Sequence, residues 1–251
     1  MRVLTSLCMI VFFVSGAFAQ DGIYGSFIVG QKFVKLQPLN DTLKSLGYGI
    51  EFPTHCWTLG GEGHVIVAKR FVLGGKGFAF FNEKVLPPDP ANPNDPARRM
   101  KISGGLGMGS FGYALLCDND NGVKLYPQLG LGLAPFLFQS KRQLDATNNS
   151  FSYVINSEDD NMTVLEKVGL ALDACLSMDW YMKFIHLLAI IPGLETGPML
   201  HGEVGYTYCP GNLRWMRDID QLSDFHPDVK FDGFYFNVGI GLGITSSAAR
   251  K

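Results

Sequence analysis

The sequence predicts an all-β fold, an antiparallel up-and-down β-barrel of eight strands that spans a membrane. Three observations predict it. The chain opens on an export leader. Long segments after it carry apolar side chains at every second position, the period of a strand with two unlike faces. No later apolar run is long enough to cross a bilayer as a helix, so a membrane-spanning chain of this kind must close as a barrel.

The leader is read first. Arg2 supplies a positive start, residues 3–14 are apolar apart from Thr5 and Ser6, and Ala17-Phe18-Ala19 fits a small-x-small cleavage site. This places a signal peptide at 1–19 and a single barrel domain at 20–251. Cys8 falls inside the apolar run, too early for a lipid-anchored cysteine. The longest later apolar stretch, residues 184–194, is short and is interrupted by Pro192.

Alternation is clearest near the end of the chain. Phe234, Phe236, Val238, Ile240, Leu242 and Ile244 alternate with Tyr235, Asn237, Gly239, Gly241, Gly243 and Thr245. One face is wholly apolar and the other small or polar. Similar patterns place strands at 23–31, 55–69, 71–82, 100–117, 122–138, 163–178, 197–209 and 232–245. The segment 71–82 is the least regular, because Phe78, Ala79, Phe80 and Phe81 show no alternation. Most segments exceed the roughly 9–11 residues that a tilted strand needs to cross a membrane.

The connections alternate in length. Long links at 32–54, 83–99, 139–162 and 210–231 follow every odd strand. Short links follow strands two and four, and Asp118-Asn119-Asp120-Asn121-Gly122 is a turn signal. Long loops at one rim and tight turns at the other is the membrane-barrel pattern. The link 179–196 departs from it, being long and apolar; a short helix at the membrane edge is expected there. Within 32–54, Asn40 could cap a helix running to Leu46. Pro87, Pro88, Pro90, Pro93 and Pro96 exclude regular structure from 83–99.

Composition agrees. Lys plus Arg number 21 against 23 for Asp plus Glu, which gives no electrostatic reason to bind nucleic acid. The 30 glycines and 19 phenylalanines suit many strands in close backbone contact. Cys56, Cys117, Cys175 and Cys209 allow three disulfide pairings, and four unpaired thiols in strands is the preferred reading.

The charged residues of the strands share the minority face. Glu62, His64, Lys101, Lys124, Lys167, Asp173, His201 and Glu203 are therefore expected inside the barrel, acids paired with bases, because a buried unpaired charge is costly. They are read as filling. No pair among His55, Cys56, His64, His201 and Cys209 has the CxxC or HxxxH spacing of a structural metal site, so no metal or cofactor is expected. No histidine adjoins a serine in a nucleophile motif, so no catalytic residue is assigned. Gly107-Met108-Gly109-Ser110-Phe111-Gly112 fits GxGxxG but does not open a helix; its glycines are expected to face inward. Tyr24, Tyr113, Trp180, Tyr181, Tyr206, Tyr208, Trp215, Phe234 and Tyr235 lie near strand ends, as an interfacial aromatic girdle would.

The chain thus resembles the small bacterial outer-membrane β-barrel proteins. The resemblance rests on the leader and on Gly105-Leu106-Gly107-Met108-Gly109. It rests also on the run from Leu125 through Tyr126 to Gly132, on Gly197-Pro198-Met199-Leu200 continuing to Gly205-Tyr206, and on the run from Gly233 to Gly243. It implies an outer-membrane location, lipid as the surrounding partner and a monomer. The expected role is non-enzymatic: an envelope anchor, or a scaffold whose outer loops bind a partner the sequence does not name. Eight strands leave an interior just filled by side chains, so a wide pore is not expected. Members of that family often end on an aromatic residue, whereas Ser246-Ser247-Ala248-Ala249-Arg250-Lys251 follow the last strand here. Two other readings stay open. A soluble exported barrel, like a lipocalin, would turn its apolar face inward around a small ligand. A lipid-modifying barrel enzyme would need a clustered triad.

Overall fold

The computed structural model describes residues 22–86, 98–118, 121–142, 162–182, 194–210, 216–217, 220–221 and 227–246. The leader and most of the three connections 83–99, 139–162 and 179–196 lie outside the described residues.

Eight long strands form a closed antiparallel ring. They are β1 (Gly22–Phe33), β2 (His55–Val67), β3 (Phe71–Leu86), β4 (Arg98–Tyr113), β6 (Val123–Arg142), β7 (Met162–Tyr181), β8 (Leu194–Tyr208) and β11 (Gly233–Ser246). Each pairs with the next long strand in the chain, and β11 closes on β1 from Ile23↔Ile244 to Lys32↔Tyr235. Closure leaves no unpaired edge around the ring's lower half. Three short strands decorate it: β5 (Leu116–Asp118) folds back on the start of β6, and β9 (Met216–Arg217) and β10 (Asp220–Gln221) form a small hairpin beside β7.

The turns follow local chemistry. Ala68 and Lys69 both have positive φ, 50° and 67°, as the central pair of a tight turn closed by Arg70 N donating to the Val67 carbonyl at 3.3 Å. In the next turn at this rim, Asp118 Oδ1 accepts from Asn121 N at 3.0 Å, and Gly122 takes φ 71°. At the opposite rim, α1 (Gln37–Ser45) packs Leu39 and Leu43 over the barrel mouth. The helix forms, but Asn40 is not its cap. Pro38 starts the helix, and Asn40 sits inside it. Its amide exchanges two 2.9 Å hydrogen bonds with the backbone of Phe52, pinning the returning chain.

Which face points outward is settled by the ring. The alternating apolar set of β11 is exposed, from Phe234 at 65% through Ile240 at 67% to Ile244 at 39%. Its ten residue steps, tilted about 40°, make an apolar band about 25 Å tall. The same wall carries Leu129, Leu131 and Leu133 of β6 and Leu170, Leu172 and Leu176 of β7.

Segment 71–82 is a regular strand after all. Phe78 and Phe80 point in, and Ala79 and Phe81 point out. Alternation was hidden because both faces are apolar at this height: Phe80 and Phe231 pack at 5.5 Å inside, beneath α1.

Two of the three GxGxxG glycines reverse the expectation, while Gly112, at the other parity, is buried as expected. Gly107 and Gly109 face outward, opposite Gly77 and Gly75, and Met108 fills the interior between them. Gly25, Gly61, Gly63, Gly75 and Gly77 pave a shallow trough on the outer wall. Glycines that face inward are under real constraint. A methyl at Gly241 would overlap the Gly25 carbonyl oxygen, whereas one at Gly107 would meet nothing within 4 Å. Gly241→Ala should therefore lower stability by about 1–3 kcal/mol, as overpacking does, and Gly107→Ala should leave it nearly unchanged. Urea midpoints in detergent check the contrast; equal midpoints would mean that the β1–β11 contact is loose.

The girdle splits as well. Tyr113, Trp180, Tyr206, Tyr208 and Phe234 are exposed on the outer wall. Tyr24, Tyr181 and Tyr235 are buried inside. Strand parity overrides nearness to a strand end. Trp215 lies outside the described residues.

Candidate functional site

The interior is filled in three layers. Tyr24, Ile66, Val72, Tyr126, Tyr181 and Met199 form an apolar-aromatic layer at the rim of short turns. Leu36, Leu39, Leu43, Phe52, Phe80 and Phe231 belong to a larger apolar layer at the rim of long connections. Between them lies a polar layer built by the inward positions of six strands.

Two ion clusters make up that layer. In the first, carboxylates and imidazoles alternate in a ring. His64 Nδ1 lies 3.2 Å from Glu62, and His64 Nε2 lies 2.9 Å from Asp179. Asp179 Oδ1 is 2.8 Å from His201 Nδ1, and His201 Nε2 is 3.3 Å from Glu62 Oε2. Tyr126 donates to Asp179 at 2.7 Å, and Tyr24 stacks on His64 at 5.2 Å. In the second, Lys76 Nζ contacts Asp173 at 2.8 Å and Glu203 at 2.9 Å and donates to the Tyr235 hydroxyl at 2.6 Å. Tyr235 and Thr207 each donate to Asp173 at 2.8 Å, and Lys32 donates to Thr207 at 2.8 Å. Lys32 also lies over the Phe231 ring at 4.7 Å, where the polar layer meets the apolar one. With charges removed from water, this degree of mutual satisfaction keeps the layer from being prohibitively costly.

The expected interior residues sort as follows. Glu62, His64, Asp173, His201 and Glu203 meet in the two clusters. Lys124 is also buried inside, opposite Asp179 in the strand register, and donates to the Tyr24 hydroxyl at 2.5 Å over its ring. Lys167 is buried apart from them, 3.9 Å from Asp228, beside a crevice lined by Phe136, Cys209 and Phe231. Lys101 does not belong with them. Its neighbours Met100 and Ile102 point in, and Lys101 lies on the outer wall over the ring of Phe81 at 5.8 Å. The minority-face rule fails on β4 because the interior beneath the long connections is apolar, so the charged parity there belongs outside.

Lys32, Lys76 and Asp179 complete the clusters and were missed. Lys76 sits on the strand whose alternation was hidden. Lys32 and Asp179 lie one or more residues beyond the expected strand ends, in stretches read as links. Extending parity two residues past each end would have found both. Cys56, Cys175 and Cys209 are free thiols in buried positions.

Comparison with solved structures finds other barrels at low identity. The chain is similar to Ail, the attachment invasion locus protein of Yersinia pestis, solved in complex with the heparin analogue sucrose octasulfate: 12% identity over 89% of this chain and 99% of that one, TM-score 0.45. It is similar to Neisserial surface protein A, at 12% identity over 89% and 96%, TM-score 0.39. It is also similar to the outer-membrane protease OmpT of Escherichia coli, at 11% identity over 91% and 98%, TM-score 0.36. No protein-family model matches the chain, and no curated protein matches it.

Chemically, the polar layer pairs acids with bases away from solvent. The two histidines bond to carboxylates and to Tyr126; among the described residues no serine hydroxyl is hydrogen-bonded to either. Ser177 Oγ instead donates to Glu203 at 3.4 Å.

Proposed function

We propose that this chain is a bacterial outer-membrane barrel that acts without catalysis, as an envelope anchor whose long connections offer a binding surface on one side. The observation that carries this reading is the orientation of the wall. Leu, Ile, Val and Phe side chains are exposed around the ring, and Glu62, His64, Lys76, Asp173, Asp179, His201 and Glu203 are buried inside it. An exposed apolar surface of this extent is stable only against lipid or a partner. A soluble ligand-binding barrel would reverse both faces, so the orientation disfavours the lipocalin-like reading.

The layered interior argues against a pore and against chemistry at the ion clusters. A solute would have to pass the apolar layers above and below. An enzyme acting at His64 or His201 would need its substrate to do the same. Binding is therefore assigned to the rim from which the connections 34–54, 87–97, 143–161 and 209–232 leave the ring.

Protease added to intact cells tests this placement. Cleavage is expected within 87–97 or 143–161, with the opposite turn at 118–122 spared, because loop tips are open to proteases and paired strands are not. Cleavage at 118–122 alone would reverse the topology. Release of the protein by osmotic shock, without detergent, would favour a soluble exported protein. In planar bilayers the purified chain should show no steady conductance; a stable open channel would overturn the sealed-interior reading.

A further inference from the structure

We propose that the polar layer holds one divalent transition-metal ion, of the zinc class, between Glu62, His201 and Glu203. Three observations meet at this point.

The first is geometry. One carboxylate oxygen from each glutamate and one imidazole nitrogen lie within 4.8 Å of one another. Small inward shifts of the three side chains would reach the roughly 2.0–2.2 Å bonds of a zinc site with nitrogen and oxygen donors.

The second is unmet polarity. His201 Nε2, Glu62 Oε2, Ser26 Oγ and Asn237 Oδ1 are buried without a hydrogen-bond partner. His201 is 4% exposed, and the Glu62 side chain 3%. Strand register puts Ser26 opposite Glu62 and Asn237 opposite Glu203, so each glutamate has a residue with an orphaned oxygen on the strand beside it. Buried polar atoms in native proteins are seldom left so.

The third is orientation. His201 Nδ1 is engaged by Asp179 Oδ1 at 2.8 Å. A carboxylate on one imidazole nitrogen fixes the ring and leaves the other nitrogen as a lone-pair donor, the arrangement that supports metal-bound histidines. The freed Nε2 faces Glu62 Oε2 at 3.3 Å, without hydrogen-bond geometry.

Because the layer is enclosed, the ion enters as the barrel folds. The test is to refold the purified chain in detergent with excess zinc, desalt it and measure bound metal by mass spectrometry. About one zinc per chain is expected, resistant to brief chelation, since metal taken up on folding is bound as part of the fold. His201→Ala and Glu62→Gln should lose it, Asp179→Asn should weaken it by roughly ten-fold or more, and Lys167→Met should keep it. If the ligand variants fail to fold, the wild-type chain decides alone. Refolded with cadmium-113, it should give a single bound resonance, and the imidazole nitrogen spectrum should show His201 protonated only on Nδ1. Substoichiometric metal in the folded chain, a doubly protonated His201 under excess zinc, or equal metal in all variants would overturn the proposal.

Discussion

Lys76→Met should destabilise the barrel by about 3–5 kcal/mol, the cost of leaving buried partner charges unpaired. Lys76 is 5% exposed, and its ammonium group is shared by Asp173, Glu203 and the Tyr235 hydroxyl. Methionine conserves the length of the side chain, so little packing is lost; what remains is two carboxylates facing one another with one cation fewer. Adding Glu203→Gln to Lys76→Met should recover part of the loss, because it removes one stranded charge. Urea unfolding of the detergent-refolded chain measures both. A single variant as stable as wild type would mean that water reaches this layer, contrary to the apolar layers that enclose it.

Val238→Arg should cost about 2–4 kcal/mol, the penalty for arginine on the lipid face of a barrel near the bilayer midplane. Val238 is the third of the six exposed apolar residues of β11 and is 49% exposed. It lies beside Val29 of β1 and Gly202 of β8, with no inward route for a long side chain. Val238→Leu should be nearly neutral, since it keeps the apolar surface. The difference in folding free energy between the two variants in lipid vesicles is the measure. Equal stability would mean that the band does not face lipid, and the membrane reading would fall with it.

Strand existence was legible because alternation is a local property. Each barrel strand was placed to within about four residues, the ordinary precision of boundaries read from pattern. β11 shows why: one face must meet an apolar medium along its whole length, so the period of two is complete. On β3 and β4 the same reasoning loses its footing. There the interior is apolar too, and Phe78, Phe80, Met100 and Ile102 look like wall residues although they are core. Lys101 was misplaced inward for this reason, and Lys76 was overlooked.

The polar layer was half legible. Charged residues on the minority face of an apolar strand were correctly suspected of burial, since lipid would not accept them. Their partners could not be read. His201 meets Asp179 across neighbouring strands, and Lys76 reaches Asp173 and Glu203 across the barrel interior. Those contacts depend on stagger and closure, which bring Lys76 to Glu203 from 127 positions away.

Taken alone, the sequence determined the strands, their alternation and the uneven lengths of their connections, because these follow from backbone period and turn chemistry within a few residues. Only the tertiary structure decided which parity faces inward on each strand, that an apolar layer lies on both sides of the charges, and that Glu62, His201 and Glu203 converge. The physical reason is that a closed ring gives every strand an inside and an outside, and register alone sets which side chains share a level within it.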